Sequence, residues 1–206
     1  MFVEPSTNPE PRSIAQKIGI VIGSIREGRN GQAVAEWVKS VADQRADATF
    51  EIIDLKAFDV PLLTSATVPG AANRQYDDER IVRWGETIDG YDGFIFVTPE
   101  YNHSVPGPFK NAFDSIGPDW QGKTVGFVSY GAENGVRAVE HWRAIVANFS
   151  MYDVRQQVSL STFTEMGENG LTLADRRAGE LETLLDQLIP ATRKLVLADR
   201  MADASA

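Results

Sequence analysis

Three short stretches of the chain hold most of its candidate chemistry. The first is Gly23-Ser24-Ile25-Arg26-Glu27-Gly28-Arg29-Asn30-Gly31-Gln32. Its glycines allow tight backbone turns, and helical periodicity follows, so the stretch ends at a helix amino terminus. Such a terminus offers unpaired N–H groups and a positive dipole, which suit an anion. Ser24, Asn30 and Gln32 add neutral donors, while Arg26 and Arg29 add charge. The plainer alternative is a capped helix with two solvated arginines. Gly19, Gly23 and Gly28 do not make the G-x-G-x-x-G dinucleotide fingerprint. Gly23 and Gly28 do have P-loop spacing, but Arg29 replaces its lysine and Asn30 its magnesium-holding hydroxyl. What remains is a loop for a monophosphate, bound without metal.

The second stretch is Thr98-Pro99-Glu100-Tyr101-Asn102-His103-Ser104-Val105-Pro106-Gly107-Pro108. Its prolines stiffen the backbone, so N–H and C=O groups are presented in fixed directions. With the polar cluster Glu100 to His103, this makes a platform for a flat heterocycle carrying carbonyls and ring N–H groups. His103 either satisfies a loop hydrogen bond or orients a second substrate. His141 falls in a helical pattern, and its i±4 neighbours Arg137 and Ile145 make no metal pair, so its expected role is structural. The third stretch, Ser129-Tyr130-Gly131-Ala132-Glu133-Asn134-Gly135, allows close backbone approach at Gly131 and Ala132. Its glycines are wrongly spaced for a G-x-S-x-G nucleophile elbow around Ser129, which speaks against a hydrolase.

Alternating strands and helices must position these stretches. Apolar runs predict strands over Lys17–Ile22, Phe50–Leu55, Gly93–Thr98 and Thr124–Ser129, with a polar edge strand over Val154–Leu160. Helical spacing appears in Val34/Trp37/Val38/Val41, Ile81/Trp84/Ile88, Phe109/Ala112/Phe113/Ile116 and Val139/Trp142/Val146/Phe149. A last helix is predicted from Leu173 to about Asp199, with Pro190 expected to kink or break it. Residues 56–75 show no helical period and read as a long surface loop. The alternation implies an α/β fold, an open, doubly wound parallel sheet, whose ligands bind beyond the carboxyl ends of the strands. All three stretches follow such ends.

Composition narrows the function further. With 206 residues the chain suits one α/β domain, expected here over residues 16–200 between a flexible arm (1–15) and a tail (201–206). No cysteine is present, which excludes disulfide scaffolds, zinc fingers, iron–sulfur clusters and thiol nucleophiles. The formal charge of -9 argues against nucleic acid and anionic membrane surfaces. The first 15 residues hold three prolines and no apolar run, and no stretch approaches the roughly 20 apolar residues of a membrane span. A cytoplasmic protein is expected.

Taken together, PEYNHSVPGPFKNAFD (Pro99 to Asp114) and GSIREGRNG (Gly23 to Gly31) resemble the NAD(P)H-dependent FMN reductases, which include azo, quinone and chromate reductases. The likeness runs from about Lys17 to Leu160. It implies a flavodoxin-like, five-stranded parallel sheet of order 2-1-3-4-5 with helices on both faces. It also implies that Ser24, Arg26, Asn30, Gly31 and Gln32 bind the FMN phosphate. Pro99, Glu100, Tyr101 and Asn102 would line the isoalloxazine, and Tyr130, Gly131 and Ala132 would form the third flavin-contacting loop. Many members have a serine where Gly28-Arg29 stand, so Arg29 is expected to replace a hydroxyl contact to phosphate. Tyr101 and His103 are candidates to orient the second substrate.

The chemistry so implied is hydride transfer from NAD(P)H to bound FMN, then reduction of a small acceptor by a ping-pong mechanism, with no catalytic side chain and no metal. A homodimer or homotetramer is implied as well. The alternative from another class is a flavodoxin-type electron carrier serving a protein partner; acidity fits a carrier, while the PEYN-type loop favours the reductase.

Overall fold

The computed structural model describes residues 15–167 and 170–204. The expected arm over 1–15 therefore lies outside the described residues, except for Ala15. In chain order the elements are β1 (Gln16–Ile22), α1 (Gly31–Ala42), β2 (Ala48–Asp54), α2 (Glu79–Asp89), β3 (Gly93–Pro99), α3 (Gly107–Asp114), β4 (Thr124–Gly131), α4 (Val136–Ala147), β5 (Tyr152–Ser161), the short pair β6 (Met166–Gly167) and β7 (Gly170–Leu171), and α5 (Arg176–Asp203). The five long strands form one parallel sheet of order β2-β1-β3-β4-β5.

The sheet is buried on both faces because its strands are apolar on both faces. On one side Ile18, Ile20 and Ile22 of β1 and Ile95 and Val97 of β3 meet apolar residues of α1 and α5. On the other side Val21, Phe94 and Phe96 meet Trp84 of α2, Phe109 and Phe113 of α3, and Trp142 of α4. This is the period-two alternation of a strand read twice, once for each core. Trp84, Trp120 and Trp142 are fully buried, and each indole N–H finds an acceptor: Ala112 O at 2.8 Å, Phe113 O at 3.2 Å and Thr98 Oγ1 at 3.1 Å. Phe109, Phe113, Trp120 and Trp142 are all core.

Three segments depart from their sequence reading. Residues 56–75 are not featureless: 3-10 turns occupy Leu55–Phe58 and Pro69–Ala71. Asn111 of α3 pins the loop between them, accepting from Leu63 N (2.9 Å) and donating to Pro61 O (2.8 Å). Pro190 does not break the last helix, which continues to Asp203. Leu181, Leu184, Leu185, Leu188 and Ile189 are fully buried there, and that packing outweighs the roughly 3 kcal/mol cost of an internal proline. The β6–β7 pair is too short to leave a sequence signal.

Candidate functional site

β1 pairs with both β2 and β3, so the strand order reverses beside it, and the loops after β1, β3 and β4 converge where such a sheet opens a crevice. Gly23 follows β1 directly, with its N–H on Val97 O at 2.9 Å. A Cβ at Gly23 would clash with Phe109 Cδ1, so the first loop begins as glycine because α3 packs directly against it. Gly28 turns the chain at φ +61. Asn30 then leads into α1 without a side-chain cap, and the first internal bond is Val34 N to Asn30 O at 3.1 Å. The leading amides of α1 are thereby left for another acceptor.

The arginines of this loop have different employments. Arg29, whose side chain is 10% exposed, donates Nη1 to Ser24 O (2.7 Å) and Nη2 to Asp54 Oδ2 (2.5 Å). Arg26 is exposed and stands over the Tyr101 ring at 5.7 Å, with no ion pair among the described residues. Ser24 is buried, and its Oγ lies 2.7 Å from the Tyr101 hydroxyl, which joins the first loop to the second. Gly31 sits beneath Tyr130: an added Cβ would lie 2.8 Å from the Tyr130 hydroxyl. Burial pushes the pKa of that hydroxyl up, so it remains a protonated donor.

In the second loop Tyr101 and Ser104 exchange backbone bonds at 3.0 and 3.1 Å. Asn102 (φ +48) and His103 (φ +74) fill the corner between them, both left-handed, as in a type I′ turn. Both side chains are exposed. Glu100 donates its N–H to Tyr130 O at 3.0 Å. Its carboxylate, 7% exposed, accepts from Arg137 N (3.1 Å) and Arg137 Nη1 (2.6 Å) at the start of α4. Glu100 thus ties the second loop to the third, where its charge also complements the helix dipole. His141 on α4 is hydrogen-bonded through Nδ1 to Ser104 Oγ at 2.8 Å.

In the third loop Gly131 O accepts from Asn134 N and Thr162 N, both at 3.1 Å. Ser129 donates its hydroxyl to Asn134 O at 2.8 Å, a turn-holding bond. At Gly135 (φ +74) a Cβ would lie 2.8 Å from both Ser129 Cβ and Tyr130 N.

These walls enclose a cavity of about 350 Å³. Ser24, Arg26, Arg29 and Asn30 line it with Gly28 from the first loop; Pro99, Glu100 and Tyr101 from the second; Tyr130, Gly131 and Ala132 from the third. Four expected residues stand off its wall. Gly31 is under Tyr130, Gln32 bonds Glu36 at 3.0 Å on the exposed face of α1, and Asn102 and His103 form the hairpin corner. Two residues had no sequence signal: Thr162, which closes the cavity from the end of β5, and Asp54, which holds Arg29. A larger cavity of about 610 Å³ between residues 61–67 and α2 shares none of these residues. No cluster of three or more potential metal ligands occurs among the described residues.

The donor set fits a phosphate monoester attached to a flat ring: Ser24, Arg26 and Asn30 before the open amides of α1 bring donors for the phosphate, and the backbone of Pro99 to Tyr101 with the small residues Gly131 and Ala132 lines the same cavity.

Residues 16–165 match a protein family described as NADPH-dependent FMN reductase. An NAD(P)H-dependent FMN reductase of Nectria sp. is 37% identical over 126 residues, which are 59% of this chain and 63% of that one. One from Schizosaccharomyces pombe is 34% identical over 122 residues, 59% and 61% of the two chains. The match thus spans about three-fifths of each of these relatives. A quinone reductase of Escherichia coli is 31% identical over 143 residues, 65% of this chain and 71% of its own length. Among solved structures, the flavoenzyme NAD(P)H:(acceptor) oxidoreductase of Paracoccus denitrificans superposes with a TM-score of 0.68 at 18% identity, covering 87% of this chain and 98% of that one; this likeness concerns the fold.

Proposed function

The chain belongs to the NADPH-dependent FMN reductase family, and from that premise we propose that it is a flavoenzyme that oxidises NAD(P)H and reduces a small acceptor. The observation that carries this reading is the cavity itself, which the phosphate-type donors of the first loop line together with the stiff backbone of the second and the small residues of the third. FMN, when bound, supplies the two-electron hydride chemistry that no side chain of this cysteine-free protein offers.

In this reading the amides at the start of α1, Ser24, Arg26 and the Tyr130 hydroxyl hold the phosphate. Pro99, Glu100 and Tyr101 present backbone groups to the ring, and Gly131, Ala132 and Thr162 let it lie close to the third loop. The protein positions the ring and leaves one face open, so donor and acceptor use that face in turn and the kinetics are ping-pong. A quinone is the acceptor we place first, because the Escherichia coli relative is named for it; free flavins, azo compounds and metal ions follow. A homodimer or homotetramer is the assembly we expect.

The test is anaerobic. The FMN-loaded protein is mixed with NADPH or NADH while flavin absorbance is followed, and a quinone is then added. Bleaching followed by recovery is expected, with parallel double-reciprocal lines in the steady state. A yellow protein that neither donor bleaches would instead be an electron carrier, and failure to retain FMN would overturn the reading.

A further inference from the structure

Asp54, the last residue of β2, stands outside the cavity wall yet controls one of its two arginines. Its Oδ2 accepts from Arg29 Nη2 at 2.5 Å, and its Oδ1 accepts from Lys56 N at 3.1 Å. The second bond fixes the carboxylate at the head of a 3-10 turn, so the group that receives Arg29 is itself held in place. Arg29 Nη1 donates in turn to Ser24 O at 2.7 Å. Asp54, Arg29 and Ser24 therefore form a chain from the end of β2 to the start of the first loop. Ser24 continues it through its hydroxyl to Tyr101 in the second loop.

The same pair sets the charge at this end of the cavity. Each terminal nitrogen of Arg29 makes one bond within the protein, to Ser24 O and to Asp54, and its positive charge is balanced by Asp54. The Arg26 guanidinium has no carboxylate partner among the described residues and stands over the Tyr101 ring. A bare carboxylate at position 54 would disfavour an anion across the loop, and a guanidinium directly against it removes that effect.

Resting on the flavin reading above, we propose that Asp54 is a positioning residue for the phosphate end of the cavity. It holds Arg29 as a brace for the first loop, and Arg29 masks the Asp54 charge, so Arg26 is the cation that meets the phosphate. This reassigns Arg29 from phosphate ligand to scaffold.

Binding is read by flavin fluorescence during titration of the flavin-free full-length chain with FMN and with riboflavin, which lacks the phosphate. The variants are Arg29→Ala, Asp54→Asn and the double substitution, each checked for folding by circular dichroism. Arg29→Ala unmasks Asp54 and is expected to weaken FMN about tenfold relative to riboflavin. Adding Asp54→Asn to Arg29→Ala removes the unmasked charge and restores part of that loss, the remainder being the lost brace. Asp54→Asn alone keeps an acceptor for Arg29, so its FMN-to-riboflavin preference is unchanged or rises. A double variant as weak as Arg29→Ala would show that Arg29 masks no charge at Asp54 and overturn the proposal. So would an Arg29→Ala protein with wild-type preference. Wild-type protein that binds no flavin would sink the functional reading as well, an outcome distinct from the other two.

Discussion

Gly23 and Gly31 show how little space the site leaves. A side chain at Gly23 would clash with the edge of the Phe109 ring, and one at Gly31 would press on the Tyr130 hydroxyl from 2.8 Å. Gly23→Ala is expected to cost about 1–3 kcal/mol of stability through overpacking, read from urea unfolding. Gly31→Ala is expected to cost less stability and to weaken FMN in fluorescence titrations by moving Tyr130. The structure also separates Tyr101 from His103, which the sequence reads alike. Tyr101→Phe breaks the bond to Ser24 and should weaken FMN about fivefold, the worth of about one hydrogen bond. His103 stands at a left-handed corner of the hairpin, so His103→Gly should preserve FMN affinity while His103→Val, β-branched at φ +74, should lower stability.

At the scale of elements, the notable device is the turn after β5. Glu165 is 4% exposed and accepts from Ser161 N (2.9 Å), Arg177 Nε (2.7 Å) and Arg177 Nη2 (2.9 Å). It fastens the segment carrying Thr162 to the start of α5, so a buried ion pair supports one wall of the cavity. Breaking such a pair from one side costs about 3 kcal/mol, the expectation for Glu165→Gln. The pH dependence follows from the carboxyl, held below its ordinary 4.5 chiefly by Arg177. Its contribution to stability is complete above pH 4.5 and is lost as the pH falls through the lowered folded value. Wild-type protein should therefore lose stability on acidification through that window, and Glu165→Gln should lose less; denaturation midpoints at several pH values check this.

For the whole molecule, a net charge of -9 coexists with a site that offers amide donors and one uncommitted arginine. The global charge bears on polyanions, and the local arrangement on a single phosphate. FMN affinity should therefore fall with added salt while riboflavin affinity barely changes, because only the phosphate senses the screened field. Titrations at low and high salt compare the two ligands, and equal salt slopes would contradict a phosphate held by Arg26. Among the described residues no helix is long and apolar enough to cross a membrane.

Apolar runs and helical spacing determined the five strands, the helices and the three loops, because each depends on residues close in sequence. Loop composition together with the family resemblance likewise marked 10 of the cavity-lining residues in advance, from Ser24 to Ala132. Contacts between distant segments were decided only by the tertiary structure. Whether Arg29 faces the cavity depends on Asp54, which lies 25 residues away in the next strand. Thr162 reaches the site because its N–H meets Gly131 O at the edge of the sheet, and Pro190 stays within a helix because one face of that helix is buried from Leu181 to Ile189. Sequence periodicity reports which face of an element is apolar. It carries no record of which polar groups, far apart in the chain, will neutralise one another once the sheet has assembled.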